Sequence, residues 1–127
     1  YIFISHSCYD QIVRIMAIAG VTDEDIAAAG NRVVENEGGL AIAVDGKVVL
    51  DLPLKIAGLM SELPVEEVDR RLEAMKSLSQ ELGVHEDVDA FMTLAFVSLP
   101  VIPKLRLNTY GVIDAEKQQI VDVFYSI

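Results

Sequence analysis

The stretch GGLAIAVDGKVVLDLPLKIAGLMS, residues 38–61, constrains this chain more tightly than any other. Two apolar runs, LAIAV and KVVLDL, flank the pair Asp45-Gly46. A two-residue type I′ turn needs positive φ at both central positions, which Asp-Gly tolerates, so the pair predicts a β-hairpin over 40–52. Both runs are nearly continuous rather than alternating, which predicts a central sheet covered on both faces. Pro53 has no amide hydrogen to give to a ladder and ends the second strand. The stretch holds no His or Cys, and its only charges are Asp45, Lys47, Asp51 and Lys55. Its work is structural.

Helices are expected on either side. Thr22 can cap one, with Asp23, Glu24 and Asp25 at its positive end. Ile26, Ala29, Val33 and Val34 recur at helical spacing, and Gly38-Gly39 stops the element. Pro64 opens a second helix that ends at Gly83, with Val68, Leu72, Met75, Leu78 and Leu82 as its buried stripe. VHEDVDA is a polar link. FMTLAFVSLPVIP, residues 91–103, is too long for a strand and predicts a buried helix stopped by Pro100. Strands are predicted over residues 1–5 and about 12–19. KLRLN reads as a strand entry, and QQIVDVFYSI as a closing strand or short helix. The order predicts an α/β (α+β) fold: a layered mixed sheet containing a β-hairpin, packed with two to three helices. Its 127 residues are expected to form a single domain.

Composition narrows the function classes. With 10 Lys+Arg against 20 Asp+Glu, the chain lacks the basic stripe that nucleic acid requires. No apolar run reaches the roughly 18–20 residues that span a bilayer, so no membrane association is expected. YIFIS lacks the basic flank of a signal peptide and reads as a chain that begins in the middle of something. The lone Cys8 rules out an internal disulfide framework and any Cys-rich zinc site, and it suits a reducing cytoplasm. A 52% hydrophobic fraction is high for a free-standing soluble domain. Either the core is rich or apolar surface meets a partner, including a second copy in a homo-oligomer.

Versatile side chains cluster once, in HSCYD at residues 6–10. His6 and Ser7 point to opposite faces of an extended chain, and His6 with Cys8 at i,i+2 seldom gives catalytic geometry. His6 and Asp10 could supply two metal ligands, while His85, Glu86 and Asp87 lie far off in a segment that reads as a solvated loop. Neither H-x-H nor H-E-x-x-H occurs, and Gly38-Gly39 lacks the rest of a phosphate-binding motif. His6 and Asp10 are the candidate catalytic residues, and the residues alone assemble no complete active site.

The order of motifs resembles one family. TDEDIAAAGNRVVENEGGLAIAVDGKVVLDLPLKIAGLMS, followed by DAFMTLAFVSLPVIPKLRLNTYGVID, looks like the C-terminal domain of bacterial and archaeal adenine deaminases over about residues 18–125. The resemblance implies hydrolysis of adenine to hypoxanthine and ammonia by a metal-activated water, with manganese or iron held by an amidohydrolase-type barrel. Such a barrel needs roughly 200 residues or more, so it lies outside these motifs, and no metal is expected on this chain alone. The family's H-D-S-H-N segment has SHSCYDQIVRIMAIAG in its place here, with His6 matching the first histidine. The resemblance implies a metal-bearing barrel as partner, in cis or in trans. A binding or oligomerisation module that keeps the fold without the enzyme stays open, as does a small hydrolase built on His6. Residues 53–61 and 91–103 resemble docking surfaces, with filling of the domain's own core as the alternative.

Overall fold

The structure is a computed structural model that describes residues 2–7, 14–97, 99–108 and 110–122, with side chains described at 16, 17, 19–97, 99–107 and 110–122. The elements in chain order are β1 (Ile2–Ser7), β2 (Arg14–Ile18), α1 (Asp23–Glu35), β3 (Gly39–Val44) and β4 (Lys47–Pro53). They continue with α2 (Val65–Glu81), α3 (Ala90–Val97), β5 (Leu105–Asn108), β6 (Gly111–Asp114) and β7 (Gln119–Val121). The class is α+β, as expected. The described strands divide into two antiparallel sheets, one ordered β2-β1-β3-β4 and the other β5-β6-β7, rather than one mixed sheet. Directly paired parallel neighbours need a crossover of a dozen or more residues, and each described pairing is instead antiparallel. The α1 crossover carries the chain from β2 past β1 to β3.

β3 is the keystone, with every residue from Gly39 to Ala43 buried. Its even positions, Leu40 and Ile42, meet Leu52 and Met75 beneath α2 and α3. Its odd positions, Ala41 and Ala43, meet Ala29 and Val33 of α1. The LAIA sequence therefore alternates large and small side chains instead of apolar and polar ones. The large face fills a thick layer, while the alanine face lets α1 approach closely. Full burial of Ile42, Leu52, Met75 and Val33 stabilises the fold by about 1.5–3 kcal/mol each.

The hairpin forms as the sequence dictates, with Asp45 at φ 52° and Gly46 at φ 71°. Its turn is tied to the start of α1, where Thr22 caps the helix by accepting from the Asp25 amide at 3.2 Å. The buried Asp25 carboxylate accepts from the Gly46 amide at 2.7 Å. That bond holds the Asp25 carboxyl below its ordinary range, outweighing the opposing effect of burial.

Both long helices end in Schellman motifs. In α2 the left-handed position falls on Gly83, with Gly83 N–H donating to Gln80 O at 2.9 Å and Val84 N–H to Ser79 O at 3.0 Å. In α1 it falls on Glu37, at φ 60°, with Glu37 N–H donating to Val34 O and Gly38 N–H to Val33 O, each at 3.0 Å. The Gly38-Gly39 pair follows the helix end and serves a different need. A Cβ on Gly38 would stand 2.9 Å from the Gly58 Cα, and one on Gly39 would overlap the Leu52 carbonyl oxygen. These glycines let the start of β3, the end of β4 and the following loop share one space.

Three expectations about burial change. Val34 is 64% exposed and Leu72 41% exposed, so each lies outside its helix's buried stripe. α3 has no fully buried residue. Ala90, Phe91, Leu94 and Ala95 rest against the core, while Met92, Phe96 and Val97 are exposed. An almost uniformly apolar segment carries no periodicity to say which side is covered.

Candidate docking surface

The loop after β4 is built for display. Leu54 at its start and Leu63 beyond its end pack against the core. The Leu54 amide donates to Gly38 O at 3.0 Å, and Gly58 is buried beside Gly38. Between these anchors, Ile56 and Met60 exchange two backbone hydrogen bonds at 3.1 Å, and the Leu59 amide donates to Ile56 O at 3.0 Å. Ala57 at φ 58° and Gly58 at φ 71° make the tight turn. Positive φ on alanine costs about 1–2 kcal/mol, so the surroundings hold this turn against its local preference. The result is a fixed loop whose apolar side chains face outward, with Ile56 45%, Leu59 55% and Met60 58% exposed. Residues 53–61 therefore expose Ile56, Leu59 and Met60, while Leu54 packs against the core and Gly58 is buried.

The second expected segment divides in the same way. Met92, Phe96, Val97, Leu99 and Val101 are exposed, as are Leu105 and Leu107 of β5 and Ile120 of β7. In the small sheet, the turn after β6 is built around Asp114. Buried Asp114 accepts from the Glu116 and Lys117 amides at 3.1 and 2.9 Å and pairs with Lys117 Nζ at 3.2 Å. Chiefly through the Lys117 amide, these contacts hold the Asp114 carboxyl below its ordinary range.

The other polar constellation sits at the β4 edge, around an open cleft of about 250 Å³ between β4 and α2. Asp51 accepts from Asn36 Nδ2 at 2.9 Å and faces Arg32 Nε at 3.8 Å and Arg71 Nη1 at 3.4 Å. Arg71 also donates to the Asp51 carbonyl at 3.0 Å and to Glu67 at 2.7 Å, while Arg70 binds Glu67 at 2.8 Å. Glu67 lies below its ordinary range, held mainly by Arg71 and then Arg70. Each charge here has an opposite partner. The cluster ties α1 and α2 to an edge strand and satisfies one of its free carbonyls, which blunts the edge against pairing with other chains. Its signal in the sequence is the aspartate inside the apolar run KVVLDL, a charge that an apolar strand does not by itself explain. The Asp25 anchor carried a fainter signal, as the third acidic residue after a capping threonine.

Of the candidate catalytic residues, His6 lies on β1 opposite Ile15 of β2, and Asp10 lies outside the described residues, as does Cys8. His85 and Asp87 form a solvated loop, 70% and 85% exposed, with the Asp87 amide donating to His85 Nδ1 at 3.3 Å. Among the described residues no three His, Cys, Asp or Glu side chains converge to hold a metal ion. No helix among the described residues is long and apolar enough to cross a membrane.

Residues 12–119 match the model of the adenine deaminase C-terminal domain, which covers both apolar segments, the hairpin and the two long helices. This chain belongs to the adenine deaminase C-terminal domain family. It is similar to adenine deaminase of Kosmotoga olearia, 48% identical over 109 residues, which are 86% of this chain and 19% of the relative. It is also similar to adenine deaminase 2 of Carboxydothermus hydrogenoformans, 46% identical over 108 residues, 85% of this chain and 19% of that one. Adenine deaminase of Moorella thermoacetica is 47% identical over 108 residues, 85% of this chain and 18% of the relative. This adenine deaminase C-terminal domain thus spans about a fifth of the length of the relatives it matches.

Proposed function

We propose that this chain serves as the non-catalytic C-terminal domain of a metal-dependent adenine deaminase, incomplete alone and active beside a metal-bearing barrel. The assembly hydrolyses adenine to hypoxanthine and ammonia in the cytoplasm. This chain contributes a rigid α+β platform and apolar docking surface, and the barrel contributes the manganese or iron and its ligands. The observation that carries the reading is the family match over residues 12–119, a region that makes up about a fifth of relatives named adenine deaminase.

The test is ammonia release from adenine, with manganese or iron supplied. The purified chain alone is expected to give none. Addition of the remaining portion of the Kosmotoga olearia relative is expected to give turnover that depends on this chain. Turnover by the chain alone would overturn the division of labour and make His6 and Asp10 the first residues to replace. If neither sample turns over and the two do not associate, a binding module without enzymatic partner is the better description.

A further inference from the structure

The loop at residues 54–61 carries more than general stickiness. Most exposed loops in a chain with net charge −10 are expected to bear charge, yet residues 52–61 contain no acid and only Lys55 as a base. The loop's apex is apolar, exposed and locked by the Ile56–Met60 bridge. Its turn places an alanine at positive φ, a strained conformation of the kind that persists where the surrounding structure over-determines it. A fixed apolar projection suits insertion into a pocket, because the ordering cost of binding has been met in the fold itself.

We propose that Ile56, Leu59 and Met60 form a preformed finger that seats in an apolar pocket of the larger portion of adenine deaminase, the part outside the matched region. This rests on the proposed function. Two observations favour that occupant over a second copy of this chain. The relatives carry about four-fifths of their length outside the matched region, which puts a large covalently linked surface within the same molecule as this loop. Two copies of a chain with net charge −10 repel each other, and the loop offers a single lysine against that repulsion.

The experiment uses full-length Kosmotoga olearia adenine deaminase in which the matched region is replaced by residues 12–119 of this chain. Leu59→Asp is introduced into this chimera, with Val65→Asp as a control at a 74% exposed apolar position. Readouts are ammonia release, cooperativity of thermal unfolding and limited proteolysis between the two portions. The chimera is expected to unfold as one unit. Leu59→Asp should split unfolding into two transitions and lower activity at least tenfold, while Val65→Asp should leave both unchanged. The same substitution in the free chain should leave its urea stability unchanged, which separates docking from folding. A chimera that never assembles overturns the proposed function and the finger with it. A chimera that assembles and tolerates Leu59→Asp overturns the finger alone. A free chain that dimerises through Leu59 assigns the surface to a second copy and overturns the proposal.

Discussion

Replacing Gly39 by alanine tests the joint on which the hairpin and the display loop both depend. Gly39 sits at φ 139°, where L side chains are strained whatever the surroundings. Gly83 offers a matched control, since at φ 100° it is also strained for alanine but a Cβ there would meet nothing within 4 Å. The conformational term is about 1–2 kcal/mol at either site, partly offset by the reduced freedom of an unfolded chain carrying alanine. Gly83→Ala should therefore cost about 1 kcal/mol. At Gly39 the added methyl would overlap the Leu52 carbonyl oxygen and stand 3.1 Å from the Leu54 nitrogen. Both atoms are backbone and cannot swing aside as the tip of a side chain would. Overpacking of this kind adds about 1–3 kcal/mol to the same conformational cost, so Gly39→Ala should cost about 2–4 kcal/mol. Against a total stability of roughly 5–15 kcal/mol for an ordinary domain, that loss is large. Urea titration followed by circular dichroism reads both variants, with an unchanged slope as the sign that the native fold is retained. Equal losses at the two positions, within about 0.5 kcal/mol, would refute the claim that close backbone approach is the reason for Gly39.

Glu37→Gly is expected to stabilise the protein by about 1 kcal/mol in the same titration, because Glu37 holds the left-handed position of the α1 Schellman motif at φ 60°. A loss of stability would mean that its side chain contributes more than the strain costs. For pH, the native carboxyls of Asp25, Glu67 and Asp114 all lie below their ordinary values. A depressed native pKa contributes stability above the unfolded value and loses it as pH falls through the folded one. Thermal midpoints should thus fall once the pH drops below about 4, and Asp25→Asn should flatten the part of that slope due to the hairpin anchor. A midpoint that rises with acidification would contradict the assigned sign.

Much of this architecture was legible because it is local. Asp45-Gly46 names its turn by backbone conformation, Thr22 names a helix start, and Gly83 names a helix end. The motifs that resemble the adenine deaminase C-terminal domain lie in the same segments, so the family was legible with them. The chemistry was not, because the versatile side chains cluster only in HSCYD, at a spacing that by itself assembles no complete site. Periodicity alone also marks Val34 and Leu72 as core, since it counts apolar positions and cannot see where a neighbouring element stops.

By itself, then, the sequence determined the hairpin, the two long helices and the apolar character of the segments around residues 53–61 and 91–103. Tertiary structure decided what those apolar residues do. It gave Leu40 and Ile42 to one face of β3 and Ala41 and Ala43 to the other, and it moved the α1 stop onto Glu37. It also covered Leu54 and Leu63 while leaving Ile56, Leu59 and Met60 in water. The physical reason is that local conformation depends on neighbours in the chain, whereas burial depends on which distant surface arrives to exclude the solvent.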